Sequence, residues 1–189
     1  MKIVVFNGSP RLKGNVELLL EEALKVIDTT AHMVKIFNLN KMNIKPCQDC
    51  GGCNNTGICI IEDEMESIYY AIRDADRIIL ACPIFFSGVS AQTKIMIDRC
   101  QAFWCEKYLL KKALKNNLYG RKGLFITLGG RKSDTGIKCS AEIIKAFFRS
   151  ISVLDHEVIG FVGIEGKGDI LKHPTAIKDV KNAVERLIQ

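Results

Sequence analysis

Apolar residues along this chain fall into short continuous runs separated by stretches with a helical period. Lys2–Asn7, KIVVFN, is a β-branched and aromatic run ended by Gly8, and it predicts a buried strand. From Asn15 to about Ile27, Val16, Leu19, Leu20, Ala23, Leu24 and Ile27 recur on one 3.6-residue face, which predicts a helix with Asn15 as its N-cap. Ala31–Leu39 predicts a second strand. Asp63, Glu64 and Glu66 then place acids where a helix dipole favours them, ahead of an inner face of Met65, Ile68, Ile72 and Ala75. Arg77–Cys82 is apolar throughout, as in a strand buried on both faces, and Pro83–Ser90 reads as a loop. A helix, continuous or broken, is expected from Ala91 to about Leu114. A strand follows over Arg121–Leu128, then a Gly129-Gly130 turn, a helix over about Ile137–Ser150 and a strand over Asp155–Gly163. Pro174 opens a last amphipathic helix through Ala176, Ile177, Val180, Ala183, Val184, Leu187 and Ile188.

Strands that alternate with helices in this way predict an α/β fold: an open five-stranded parallel sheet with helices on both faces and right-handed crossovers. Nothing suggests a repeat or a linker, so residues 1–189 are expected to form one domain. The irregular segment Pro46–Ile61 is an insert after the second strand.

The length, 189 residues, agrees with a single domain. The net charge of +6 fits an anionic ligand or simply solvated lysines. No basic and aromatic module argues for nucleic acid. The opening MKIVVFNGSP is too short in its apolar run for a signal peptide, and no stretch approaches the ~20 apolar residues of a membrane helix. The expected location is cytoplasmic, where eight cysteines point to metal or redox chemistry rather than disulfides.

Four of those cysteines lie in PCQDCGGCNNTGICII: Cys47, Cys50, Cys53 and Cys59, spaced C-x2-C-x2-C-x5-C. Two-residue gaps let successive thiolates of one loop converge. Gly51, Gly52 and Gly57 permit the backbone turns, and Asn54, Asn55 and Thr56 bring the chain back to Cys59. Three cysteines at this spacing with a fourth beyond are a way to hold a cubane iron–sulfur cluster. Zinc, redox thiols and purely structural cysteines stay open as alternatives, although zinc favours two separated pairs.

A second candidate lies at the first turn. A strand, Gly8-Ser9-Pro10 and a helix put backbone N–H groups and a positive dipole end at the strand's carboxyl end, as in a phosphate cradle. Ser9 adds a hydroxyl, Arg11 a charge and Asn15 an amide or a cap, with room given by Gly14. The pattern is neither a Walker loop nor G-x-G-x-x-G. An ordinary βα turn is the plainer alternative. Two further turns, Pro83–Gly88 and Gly129–Asp134, come to the same sheet edge, where open α/β sheets bind ligands. Phe85 and Phe86 offer apolar surface there, or cover the core.

The stretches GSPRLKGN, PCQDCGGC with CIIEDEMESIY, ADRIILACPIFF, SAQTKIMIDR and LGGRKSDTG together resemble the iron–sulfur flavoproteins, within the flavodoxin-like NAD(P)H-dependent FMN reductases. The resemblance runs from about Lys2 to Gly136. It implies a flavodoxin-like fold, FMN at the sheet edge, a [4Fe-4S] cluster on Cys47, Cys50, Cys53 and Cys59, and electron transfer between the two. It also implies a homodimer or homotetramer. The FMN phosphate would be held by Ser9, Arg11, Asn15 and the amide of Val16. Pro83, Ile84, Phe85, Phe86 and Ser87 would line the isoalloxazine, and Gly129 and Gly130 would close its other side. The protein would be a flavin-dependent oxidoreductase whose protein part binds, orients and tunes, with no catalytic side chain. Its partner would be a small redox donor or acceptor: ferredoxin, NAD(P)H or a quinone. Two departures stand out. The loop after the third strand reads PIFFSG where the family pattern has a tyrosine and an earlier glycine, and Val16 stands where a small polar residue is common. The alternative function is an NAD(P)H-dependent FMN or quinone reductase whose cysteine loop is structural or binds zinc.

The other chemistry-bearing residues read plainly. Cys82, Cys100 and Cys139 are expected to pack as small apolar groups, while Cys105 beside Trp104 is a candidate contact for flavin or a partner subunit. His32, His156 and His173 form no ligand set. Lys107, Lys111, Lys112, Lys115, Arg121 and Lys122 read as a solvated face, or as a dock for an acidic carrier.

Overall fold

The computed structural model describes residues 1–112 and 120–189. The predicted end of the third helix at Leu114, and Lys115, lie outside the described residues. Strand β1 spans Lys2–Asn7, helix α1 Asn15–Leu24, β2 Met33–Asn38, α2 Met65–Asp74 and β3 Arg77–Phe85. A short β4 (Gly88–Val89), α3 (Ala91–Arg99) and α4 (Gln101–Trp104) follow. Strand β5 (Lys122–Gly129), α5 (Thr135–Ser150), β6 (Asp155–Val162) and α6 (Ala176–Ile188) complete the chain.

The five long strands pair in parallel in the order β2-β1-β3-β5-β6, giving the open parallel sheet that the alternation predicts and the flavodoxin-like fold that the resemblance implies. Side chains of one strand alternate between two cores. Val4 and Phe6 of β1 face α2, α3, α4 and α5, where Ile68, Ile72, Phe103 and Phe147 are buried. Ile3 and Val5 face α1 and α6, where Leu19, Ala23, Val180 and Val184 are buried. Strand order reverses between β1 and β3, and that point of reversal is where a crevice opens at the carboxyl edge. No helix among the described residues is long and apolar enough to cross a membrane.

Two predicted features differ from the structure, and one that the sequence left open, whether the third helix is continuous, is settled by it. Strand β3 does not stop at Cys82 but runs through Pro83 to Phe85 and pairs antiparallel with β4. The connecting Phe86 and Ser87 both take positive φ, 48° and 63°, as a tight two-residue hairpin requires. The third helix breaks at Cys100, and residues 105–109 continue as a π-helical turn. The last helix begins at Ala176, two residues after Pro174, with the Nδ1 of His173 accepting from the amides of Thr175 and Ala176.

Arg121 is not part of a solvated face either. It is buried, and its guanidinium donates to the carbonyls of Ala75, Ile151 and Ile72, where α2 and α5 end. A charged donor fork satisfies three carbonyls that have left their helical or loop partners. Arg121→Ala should therefore lower the free energy of unfolding by about 2–4 kcal/mol, read as a shift in urea midpoint at unchanged slope.

Candidate functional site

The carboxyl edge is shaped first by Gly8. Its amide donates to the Ala81 carbonyl (2.8 Å) and its own carbonyl accepts from the buried Ser90 hydroxyl (2.6 Å). A Cβ at this position would lie 1.9 Å from the Thr93 hydroxyl oxygen, so only glycine lets the turn sit on α3. The Asn7 carboxamide accepts from the Ser9 amide (3.0 Å) and donates to Asn38 (3.1 Å), tying the end of β1 to that of β2. The Ser9 hydroxyl accepts from the Arg11 amide (3.2 Å) and so winds the turn. Gly14 closes it, donating to the Arg11 carbonyl (3.2 Å) from a position where a Cβ would come within 3.1 Å of that oxygen.

Helix α1 starts at this turn without a cap: Gly14 precedes it in extended conformation, and no side chain among the described residues caps its first amides. The predicted N-cap, Asn15, is engaged elsewhere. Its carboxamide donates to the Gly166 carbonyl and accepts from the Gly168 amide, both at 2.8 Å, so it straps the loop after β6 onto the start of α1. Asn15 therefore offers the edge its backbone amide rather than its side chain. Val16 likewise faces the core with its side chain. The exposed Arg11 guanidinium has no hydrogen-bond partner among the described residues.

Two hollows of about 220 and 320 Å³ meet along this edge. The first is lined by Ser9, Arg11, Asn15 and Val16 on one side and by Pro83, Ile84 and Phe85 on the other. The second is lined by Phe86, Ser87, Arg131, Ser133 and Thr135. Ile84, Phe85, Gly129 and Gly130 line both, which joins them into one trough. All eleven residues expected at an edge ligand thus line a single trough, and Arg131, Ser133, Thr135, Ile164 and Glu165 join them. Gly136 admits the close packing of Ile84, whose Cγ2 would be 2.6 Å from an added Cβ. An uncapped helix start, an unpaired guanidinium and an apolar trough beside them fit a flat heterocycle carrying a phosphate.

The cysteine loop leaves β2 at the same edge. Cys47, Cys50, Cys53 and Cys59 line one small cavity that Arg99, Gln101 and Ala102 close. As placed, no three His, Cys, Asp or Glu side chains among the described residues converge closely enough to hold a metal ion. Positive φ at Asp49, Gly51 and Gly57 gives the loop its turns. Cys105, a candidate contact for flavin or a partner subunit, lies buried under this loop: its sulfur is 3.6 Å from that of Cys53 and donates to the Asn54 carboxamide (3.3 Å). Burial, with Cys105 beside it, pushes the Cys53 thiol up to about 11. The donor set is uniformly soft sulfur around one hollow, which suits an iron–sulfur centre better than a hard cation. Of the remaining thiols, Cys82 and Cys100 are buried as expected, and burial pushes Cys82 up to about 12. Cys139 is exposed, contrary to its reading as a packed residue.

Sequence reasoning missed the ion pair beneath the loop. Arg99 and Asp63 are both withdrawn from water, 2.6 Å apart. Burial opposes the Asp63 charge, but Arg99 and the amides of Lys45 and Met65 outweigh it and hold the carboxyl below its usual range. The signal was an arginine at a core position of a helix, three residues after Met96 and four before Phe103. Its partner lies 36 residues away, beyond the reach of local periodicity.

A family model for NADPH-dependent FMN reductase matches residues 1–160 of the chain. An iron–sulfur flavoprotein of Archaeoglobus fulgidus is 37% identical over 128 residues, 68% of this chain and 62% of that protein. One of Methanocaldococcus jannaschii is 30% identical over 149 residues, 78% of this chain and 71% of that protein. Across four curated iron–sulfur flavoprotein relatives, this chain's match spans from 45% to 65% of the relative's own length. The fold is similar to that of an FMN-dependent NADH-azoreductase from Bacillus anthracis solved in complex with FMN. That likeness has a TM-score of 0.71 at 17% identity and covers 100% of both chains.

Two outcomes are expected. Asn15→Ala should cost about 1–3 kcal/mol by stranding the Gly168 amide, with faster hydrogen exchange confined to residues 166–170. The depressed Asp63 carboxyl contributes stability that is complete above its unfolded value near 4 and is lost as pH falls through its lower folded value. Asp63→Asn should lower stability at pH 7 and flatten that acid limb in urea titrations taken at successive pH values.

Proposed function

We propose that this chain, which belongs to the NADPH-dependent FMN reductase family and within it to the iron–sulfur flavoproteins, binds FMN in the carboxyl-edge trough and passes electrons between it and a [4Fe-4S] cluster in the cysteine loop. The observation that carries the reading is the uncapped start of α1, opening onto the trough at the reversal of strand order. The first-turn amides of α1, among them those of Asn15 and Val16, would hold the phosphate together with the Ser9 hydroxyl and the Arg11 guanidinium. The Pro83–Ser87 hairpin would flank one side of the ring, and Gly129 and Gly130 the other. Phe86 is fully exposed at the tip of that hairpin, and its positive φ is the kind of local strain that collects at ligand sites.

FMN exchanges electrons in pairs or singly, a cubane cluster exchanges one at a time, and together they join the two kinds of donor. What this chain contributes is placement. Backbone groups of the trough position the ring without a side-chain acid or base, and Cys47, Cys50, Cys53 and Cys59 supply four thiolates from one loop. The outside partner would be a nicotinamide dinucleotide, a quinone or a ferredoxin, and the assembly a homo-oligomer. A second reading, a nicotinamide-dependent FMN or quinone reductase, is favoured by the separation of the four sulfurs as placed. In it the cysteines are structural or bind zinc.

Reductive titration separates the two. Anaerobically isolated protein should take up about three electrons per chain, two at flavin and one at the cluster. Cys50→Ser should keep its flavin and take up about two. Two electrons in both proteins would leave only the reductase reading. At the phosphate end, Arg11→Ala should weaken FMN binding about 10- to 100-fold by fluorescence titration. Riboflavin, which lacks the phosphate, should bind both proteins alike.

A further inference from the structure

We propose that Arg99 is a positioning residue for the cysteine loop. It ties the two ends of the loop together and presents a cationic N–H donor to the sulfur cavity that the loop encloses. This rests on the reading of Cys47, Cys50, Cys53 and Cys59 as cluster ligands.

Arg99 is the last residue of α3 and is 1% exposed. Its Nη1 donates to the Lys45 carbonyl (2.9 Å) and to the Asp63 carboxylate (2.6 Å), and its Nη2 donates to the Ile61 carbonyl (3.0 Å). Lys45 immediately precedes the loop, and Ile61 ends it. One planar fork therefore closes both ends of a segment that has no regular secondary structure of its own. Asp63 reinforces the closure by accepting from the Lys45 amide (2.9 Å) and the Met65 amide (2.9 Å). The backbone that carries the fork is itself fixed, since the Tyr69 hydroxyl donates to the Arg99 carbonyl (2.8 Å).

One nitrogen is left over. The Nε of Arg99 is buried without a hydrogen-bond partner among the described residues, and Arg99 is one of the residues that line the cavity of the four cysteines. Buried N–H groups without an acceptor are rare in native structures and call for one. A centre ligated by four thiolates is anionic and rich in sulfur acceptors. Hydrogen bonds and positive charge near cluster sulfurs stabilise the added electron. A lysine keeps the charge but lacks the fork, so the two contributions, closure and charge, can be separated.

The test compares Arg99→Lys and the double variant Arg99→Met with Asp63→Asn, which removes both buried charges together, against the parent protein. Bound FMN per chain reports folding, because the flavin trough makes no use of Arg99. The readouts are the half-life of the cluster against a chelator under argon and its midpoint potential by EPR. The double variant should lose its cluster at least tenfold faster and reduce at least tenfold less favourably, about 59 mV for one electron. Arg99→Lys should lose its cluster faster while holding the parental potential. Parental half-life and potential in both variants would overturn the proposal. Should the double variant fail to bind FMN, Arg99→Lys carries the test, and a parental half-life in it is the contrary result. If the parent protein itself holds no iron after anaerobic reconstitution, the cluster reading falls separately. The clip is then read in the metal-free protein by hydrogen exchange of residues 46–61: faster exchange in Arg99→Lys supports it, and unchanged exchange overturns it.

Discussion

Parallel pairing sends the carboxyl end of every long strand to the same edge of the sheet, and both candidate sites follow from that constraint. The turns after β1, β3 and β5 meet there to form the trough. The chain leaving β2 at that edge becomes the cysteine loop. Register makes the meeting specific. Asn7 is opposite Asn38 on one side and Ala81 on the other, so β1 and β2 end level while β3 runs on to Phe85 and overhangs the turn after β1. The Asn7–Asn38 hydrogen bond and the Gly8–Ala81 bond continue that pairing one step past the sheet.

The two sites are held by different physics. The trough is mostly backbone: an uncapped helix start, a tight hairpin with two residues at positive φ, and glycines where a Cβ would collide. Such a surface can grip a phosphate and frame a flat ring without a titrating side chain, which suits a protein whose redox chemistry belongs to its cofactor. The cysteine loop buries little apolar surface, with Ile58 and Ile60 exposed, and has no ladder of backbone hydrogen bonds. It depends on a buried ion pair, Arg99 with Asp63, that is acceptable inside the protein because two carbonyls accept from Arg99 and two amides donate to Asp63.

Periodicity and turn chemistry revealed most of the fold. Strand β1 matches its expected bounds, and the inner faces of α2 and α6 are the ones their apolar spacing predicts. The trough was legible because it is assembled from strand-end turns, each visible locally and gathered by a known topology. What escaped was whatever depends on distant partners. Asn15 has the look of an N-cap, but the loop at 166–170 takes its carboxamide. Arg99 and Arg121 look like ordinary helix and surface charges until the carbonyls they satisfy come from other elements. The hairpin at Phe86 and Ser87 was hidden because neither residue favours positive φ, and the Pro-containing run before it reads as a break rather than as a continuing strand.

The most direct measurement is the count of iron, acid-labile sulfide and FMN on one oxygen-free preparation of the protein. Two prosthetic groups predict about four irons, about four sulfides and one flavin per chain. One flavin accompanied by zinc, or by no metal at all after reconstitution with iron and sulfide, would contradict the presence of a cluster and leave the cysteine loop without its proposed role.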